Sequence, residues 1–315
     1  MARGNRSRKD LSAVTSRMEQ KLTLKEEATP AFRAPPRSCD THFHVFAPPE
    51  RYPYGSGTNE KLRYAPPVAP LSEFLQLASL LGFERFVFVQ PSAYGRDNAC
   101  MLDAMREVGV DRCRGIVDVD ENVSDTVLAD MDAAGVRGVR INVSPVKTVT
   151  PGLADSMRPR IERLDARCHE LGWHLDFLSP GWLTEELLPV FEELKCEFTI
   201  AHMGMFLAKD GPKQRGFQKL LDLVANGNGR AWVKLTGVYR MATIPTFADA
   251  APMARSLLQA APDRLIWGSD YPHLSFADKV GSVQLFNLLA DWAPDKESRR
   301  KILVDNPASL FGFET

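Results

Sequence analysis

The sequence predicts an α/β protein folded as a (β/α)8 TIM barrel with an N-terminal arm. Three observations predict it. From Cys39 onward, short apolar runs alternate eight times with amphipathic stretches, a pattern that argues for a parallel sheet covered by helices. The 315 residues accommodate one barrel of roughly 250 residues plus an arm. Histidines and an aspartate follow several of the apolar runs, as they do where strand ends build the mouth of a barrel. No GxGxxG follows the first run, which removes the usual reason to prefer an open dinucleotide-binding sheet.

Residues 1–34 read as a flexible or surface-wrapping arm. They are rich in Arg, Lys, Ser and Glu and lack the apolar segment of a secretory signal. A single helix around Leu11–Leu24 and a subunit contact are the roles open to this arm. Residues 35–315 form the barrel domain. Its expected strands are Cys39–Phe46, Arg85–Gln90, Arg114–Val119, Gly138–Asn142, His174–Leu178, Glu197–Ala201, Ala231–Leu235 and Arg264–Gly268. The first expected helix is Leu71–Leu81, where Leu71, Phe74, Leu75, Ala78 and Leu81 share one face. Asn98–Val108, Asp125–Ala134, Pro159–Leu171, Thr184–Leu194, Phe217–Ala225, Phe247–Ala260 and Asp278–Leu289 repeat that periodicity.

Composition is ordinary for a globular protein, 44% hydrophobic and 25% charged. The net charge of -1 supplies no global field for nucleic acid or a membrane surface. Five scattered cysteines form no CxxC pair, which suits a reducing, cytoplasmic compartment. No apolar run is long enough to span a bilayer.

His42 and His44 carry most of the functional signal. Side chains alternate in a strand, so both imidazoles face one way and Phe43 the other. Two such rings can bind a metal or polarise a carbonyl oxygen. His202 ends the sixth run and Asp270 the eighth. A carboxylate facing three imidazoles is a good general base for water. His273 either holds Asp270 or a leaving group, or is a surface loop residue. Arg140 interrupts an apolar strand and needs a carboxylate partner, from the protein or from a substrate. Arg240 follows the seventh strand, and Lys147 lies in the loop after the fourth. If these cations face the mouth, the substrate is a small anionic molecule. Ser92 and Tyr94 offer hydroxyls in the loop after the second strand. Ser92 is not in a GxSxG elbow and is not read as a nucleophile.

Asp40-Thr41-His42-Phe43-His44, Val89-Gln90-Pro91-Ser92, Arg137-Gly138-Val139-Arg140-Ile141-Asn142, His202-Met203-Gly204, Trp267-Gly268-Ser269-Asp270-Tyr271-Pro272-His273 and Asp305-Asn306-Pro307-Ala308 together resemble the amidohydrolase superfamily. Within it they are most similar to the branch containing 2-pyrone-4,6-dicarboxylate lactonase. The resemblance implies a distorted TIM barrel that hydrolyses a carboxylated lactone. It casts Asp270 as the base that activates water, and His42, His44 and His202 as the groups polarising the carbonyl. Arg140 and Arg240 match carboxylate-binding arginines; Ser92, Tyr94 and Tyr64 match positions around the ring. No metal is required on this reading, although a single divalent ion such as Zn has a ligand set in His42, His44, His202 and Asp270. Two departures alter the ring pocket: Leu178 stands where the lactonase has tyrosine, and Val146-Lys147 where it has arginine. A lysine does not reproduce an arginine's bidentate grip. The alternatives on the same scaffold are a mononuclear Zn-dependent decarboxylase, a hydratase, a sugar lactonase or a lactone isomerase. A catalytically silent binding barrel is the alternative of another class. Oligomeric state is left open, with a homo-oligomer among the options.

Overall fold

The computed structural model describes residues 28–55 and 66–314. Tyr64 and the expected helix around Leu11–Leu24 lie outside the described residues. Eight parallel strands run in sequence order: β1 (Cys39–Phe43), β2 (Arg85–Val89), β3 (Cys113–Val117), β4 (Val136–Asn142), β5 (His174–Leu178), β6 (Glu197–Ile200), β7 (Ala231–Leu235) and β8 (Leu265–Trp267). Buried on both faces, they read as near-continuous apolar runs, which is how parallel strands read. The seam between β8 and β1 is bridged by other bonds. Thr41 Oγ1 donates to the Trp267 carbonyl at 2.8 Å, the Ser269 amide to Asp40 Oδ1 at 3.0 Å, and the Asp270 amide to the His42 carbonyl at 2.8 Å. These three bonds nearly close the barrel and run alongside the catalytic candidates.

Helices cover the outside: α1 (Leu71–Leu81), α2 (Ala99–Val108), α3 (Asp125–Ala133), α4 (Leu153–Leu171), α5 (Gly181–Glu193), α6 (Arg215–Asn226), α7 (Ala251–Ala260) and α8 (Ser282–Trp292). Helix α1 matches the expected bounds and buries Leu71, Phe74, Leu77, Ala78 and Leu81. Ser124 Oγ accepts the Val127 amide and caps α3. Two starts differ. The pattern places the start of α4 at Pro159, because proline favours the first helical turn. The helix instead begins at Leu153 and carries Pro159 inside. The lost backbone bond is outweighed by the buried stripe Ala154, Ile161, Leu164 and Cys168. Helix α7 begins at Ala251, because Phe247 adopts φ +53 and breaks the helical backbone before it.

The chain continues into α9 (Lys296–Arg300) and α10 (Asn306–Phe311). The Asn306 side-chain amide donates to the Pro262 and Leu265 carbonyls at 2.9 and 2.7 Å, beside the start of β8. The Asp305-Asn306-Pro307-Ala308 motif therefore anchors the C-terminal segment below the barrel. The last residues of the arm lie against the barrel as well. Phe32 stacks on Phe286 at 4.3 Å, and the Ala34 amide donates to the Leu81 carbonyl at 2.8 Å. All five cysteines are free and buried. No described helix is long and apolar enough to cross a membrane.

Candidate active site

Asp270 stands at the centre of the mouth, 2% exposed. Its backbone sits at φ +57 and that of His202 at φ +52, a left-handed conformation uncommon for side chains larger than glycine and concentrated at functional sites. The sequence places His42, His44, His202 and Asp270 together, and the structure does so too. His42 Nε2 and His44 Nε2 lie 3.5 and 3.6 Å from Asp270 Oδ1. His202 Nε2 lies 3.7 Å from Oδ2.

The two carboxylate oxygens have different neighbours. Oδ2 accepts the Tyr239 hydroxyl at 2.5 Å and faces Arg240 Nε at 3.4 Å. Oδ1 faces only imidazoles among these contacts. Burial alone would raise the Asp270 pKa, but the neighbouring His202 and Arg240 outweigh it and hold the carboxyl well below its usual range. Asp270 is thus ionised at neutral pH. Burial lowers the histidines, His202 to about 3, so they are neutral donors and acceptors. Burial also pushes Asp40 up to about 7. Asp40 accepts the amides of His42 and Ser269 at 3.1 and 3.0 Å, fixing the strand that carries the histidines.

Glycine makes room for this cluster. At Gly237, φ +55, an added Cβ would fall 2.4 Å from His202 Nδ1, which is held at 2.7 Å by Thr236 Oγ1. Gly237→Ala is expected to displace the ring and lower kcat/KM by about 10²-fold, the usual cost of an ångström-scale misplacement. Steady-state kinetics beside a thermal melt checks this; an unaffected kcat/KM would mean that the ring tolerates the shift.

The other candidates fall into two groups. Arg140 is 4% exposed, with Nε 3.9 Å from Asp176 Oδ2 and an Nη1 donating to the Gln90 carbonyl. Its partner is thus in part the protein itself. Arg240 has a side chain 19% exposed and faces Asp270, Tyr239 and the Leu274 carbonyl. Ser92 and Lys147 are exposed. Tyr94 corrects a sequence expectation. Its hydroxyl accepts the Ala47 amide at 3.1 Å and its ring packs on Phe46 and Tyr54, so it braces a loop rather than offering a free hydroxyl. His273 is buried rather than a surface loop residue. Its Nε2 lies 3.2 Å from Ser282 Oγ at the start of α8, and its backbone amide donates to the Asp270 carbonyl at 2.9 Å. Leu178 forms an apolar patch with Ala201 and Met205.

Sequence reasoning missed Asp176, Lys234 and Tyr239. Lys234 Nζ lies 2.6 Å from Asp176 Oδ1 and 3.3 Å from His42 Nδ1, with both charged side chains fully buried. A single charge inside each apolar run, Asp176 in HLDFL and Lys234 in AWVKL, is the signal that finds them.

His42, His44 and Asp270 offer ligand atoms within 4.8 Å of one another and could hold a metal ion. His44 fits a ligand's role, because its Nδ1 lies 2.8 Å from the Val89 carbonyl, the back contact usual for ligating histidine. His42 does not fit. Its back nitrogen faces the Lys234 ammonium, where a ligand would need to donate a proton.

The amidohydrolase family profile matches residues 39–313. A 4-sulfomuconolactone hydrolase from Hydrogenophaga intermedia is 38% identical over 285 residues, covering 89% of this chain and 90% of the relative. A 2-pyrone-4,6-dicarboxylate hydrolase from Comamonas testosteroni is 30% identical, covering 90% of this chain and 92% of the relative. Among solved structures, one described as a 2-pyrone-4,6-dicarboxylic acid hydrolase from Pseudomonas putida superposes with a TM-score of 0.77 at 31% identity, covering 89% of this chain and 98% of that one. With the barrel, the strand-end histidines and the aspartate in place, the chain belongs to the amidohydrolase family.

Proposed function

We propose that the protein is a hydrolase that opens an anionic lactone by water attack on the lactone carbonyl. The observation that carries the reading is the ionised Asp270 ringed by three neutral imidazoles at the mouth of the barrel. Asp270 takes a proton from water, through Oδ1, the oxygen not engaged by Tyr239 and Arg240. His42 and His202 face the reacting carbonyl and polarise it, while His44, whose Nδ1 proton goes to the Val89 carbonyl, turns a lone pair to the site and accepts from the attacking water. The tetrahedral intermediate collapses, the ring C–O bond breaks, and the leaving oxygen takes up a proton to give an open-chain acid. Three neutral rings and an ionised carboxylate suffice for these steps without a resident metal.

The substrate's charge is read from Arg140 and Arg240, with Lys147 at the rim and Ser92 and Tyr64 as candidate ring contacts. The relatives' names support it, since a pyrone dicarboxylate and a sulfomuconolactone both carry acidic groups. A related structure from Acinetobacter baumannii, described as a 2-pyrone-4,6-dicarboxylic acid hydrolase, has citric acid bound. One observation favours a sulfonated or carboxylated muconolactone over the pyrone: identity is higher to the sulfomuconolactone hydrolases, at 38% and 37%, than to the pyrone dicarboxylate hydrolase, at 30%.

The experiment is a panel of lactones with and without chelator, assayed on wild type and Arg240→Met. The variant is expected to lose kcat on every lactone, because Arg240 faces Asp270. It should lose an additional 10-fold or more in KM on the acid but not on its neutral ester, since a charge-assisted hydrogen bond contributes about 1.5–3 kcal/mol. Equal KM changes on acid and ester would mean that Arg240 only holds Asp270, and a neutral sugar lactone would replace the anionic one. Activity lost on chelation, or turnover of carboxylic acids in place of lactones, would favour the Zn-dependent decarboxylase or hydratase.

A further inference from the structure

Lys234 lies on β7 with no exposed surface. An ammonium inside a barrel needs a counter-charge, and Asp176 supplies it at 2.6 Å. Asp176 is fixed in turn. Thr199 Oγ1 donates to the same oxygen at 2.5 Å, and Arg140 Nε lies 3.9 Å from the other. The second neighbour of Lys234 Nζ is His42 Nδ1 at 3.3 Å.

An ammonium has three donors and no acceptor. The contact with His42 is therefore a hydrogen bond only where Nδ1 keeps its lone pair. Burial, together with the adjacent Lys234 charge, opposes a second proton on this ring. The one ring proton is left on Nε2. That atom faces Asp270 Oδ1 at 3.5 Å, longer than a hydrogen bond, and has no hydrogen-bond partner among the described residues. It is a buried donor with its partner still to come. His44, two residues on, is the opposite case. The Val89 carbonyl can only accept, so the His44 proton sits on Nδ1 and its Nε2 presents a lone pair. One strand end thus offers the mouth a donor and an acceptor side by side.

We propose that the Lys234–Asp176 pair locks His42 in the Nε2–H tautomer, making it a hydrogen-bond donor to the substrate carbonyl and withholding it from a divalent metal ion. Lys234 is a positioning residue that acts through His42. The carbonyl as target rests on the lactone reading; the direction of the hydrogen bond does not. A ligating histidine turns its second N–H toward a carboxylate, a carbonyl or water, and here an ammonium occupies that place.

The test is side-chain nitrogen-15 NMR of the metal-free, histidine-labelled full chain, with the His42 signals assigned by their loss in His42→Gln. The expected result is a neutral ring protonated on Nε2. A proton on Nδ1 overturns the proposal. The second measurement is zinc affinity, by competition with a chromophoric chelator. The double variant Lys234→Met/Asp176→Asn keeps the interior charge balance and is expected to bind zinc at least about 10-fold more tightly than wild type, the scale on which groups behind metal ligands act. Unchanged zinc affinity in a folded double variant overturns the withholding of His42 from metal. If the double variant does not fold, the wild-type spectrum decides by itself. Failure of the lactone panel would not alter which ring nitrogen carries the proton, so the two readings fail separately.

Discussion

Asp270→Asn is expected to lower kcat/KM by about 10²–10⁴-fold, the usual loss when a general base is removed, while the fold survives. The substitution is mild for the structure. Asparagine is among the residues best tolerated at positive φ, and Asp270 sits at φ +57. An amide oxygen in the place of Oδ2 still accepts from Tyr239 and Arg240. The amide nitrogen, in the place of Oδ1, meets the His44 lone pair, and the His42 N–H, already beyond hydrogen-bond distance at 3.5 Å, loses no bond. What the amide cannot do is take a proton from water. Circular dichroism and a thermal melt would report the retained fold, and kinetics on the best lactone the loss. Near-normal turnover would remove Asp270 from the mechanism.

Asp176→Ala is expected to be the most destabilising single substitution in the barrel interior. Asp176 has no exposed surface, and Lys234 and Arg140 both lean on it. Burial acts to raise its pKa, yet the adjacent Lys234 ammonium holds it far below the carboxylate range, so it is a charge in the folded state. Removing one partner of a buried pair costs about 3–5 kcal/mol, because the other charge is left buried without compensation. The urea midpoint should fall accordingly with the slope unchanged. The double variant Lys234→Met/Asp176→Asn should lose less than Asp176→Ala, since it removes the charges together. A single variant as stable as wild type would mean that water or a shifted side chain solvates Lys234.

Strands and helices are legible in the sequence because parallel strands are buried on both faces and helices keep one face buried, so period and run length survive in the amino-acid pattern. His42, His44, His202 and Asp270 are legible for a related reason: polar residues closing apolar runs have to sit at strand ends. Asp176 and Lys234 stand within apolar runs in the same way as Arg140. What joins them is strand register, Arg140 opposite Asp176 and Asp176 opposite Thr199, and register is not written in a single strand. Loop side chains are less legible still. Tyr94 and His273 follow no period, and their direction depends on Ala47 and Ser282, neither of which the motifs mention. Pro159 misplaces the start of α4 because a local preference yields there to the buried stripe.

The seam between β8 and β1 has a consequence for how the site comes into being. Thr41 and Trp267, and Asp40 and Ser269, are separated by 226 and 229 positions along the chain. Contacts of such long sequence separation demand the largest loss of chain freedom before they return any stabilisation. His42 and His44 lie on one side of that junction and Asp270 on the other. A chain still emerging from synthesis, or one missing its last βα unit, holds two half-sites with no carboxylate between the imidazoles. With Asp270 as the proposed base, hydrolytic competence should arrive only when the first and last strands meet, and its appearance during refolding would report closure of the ring.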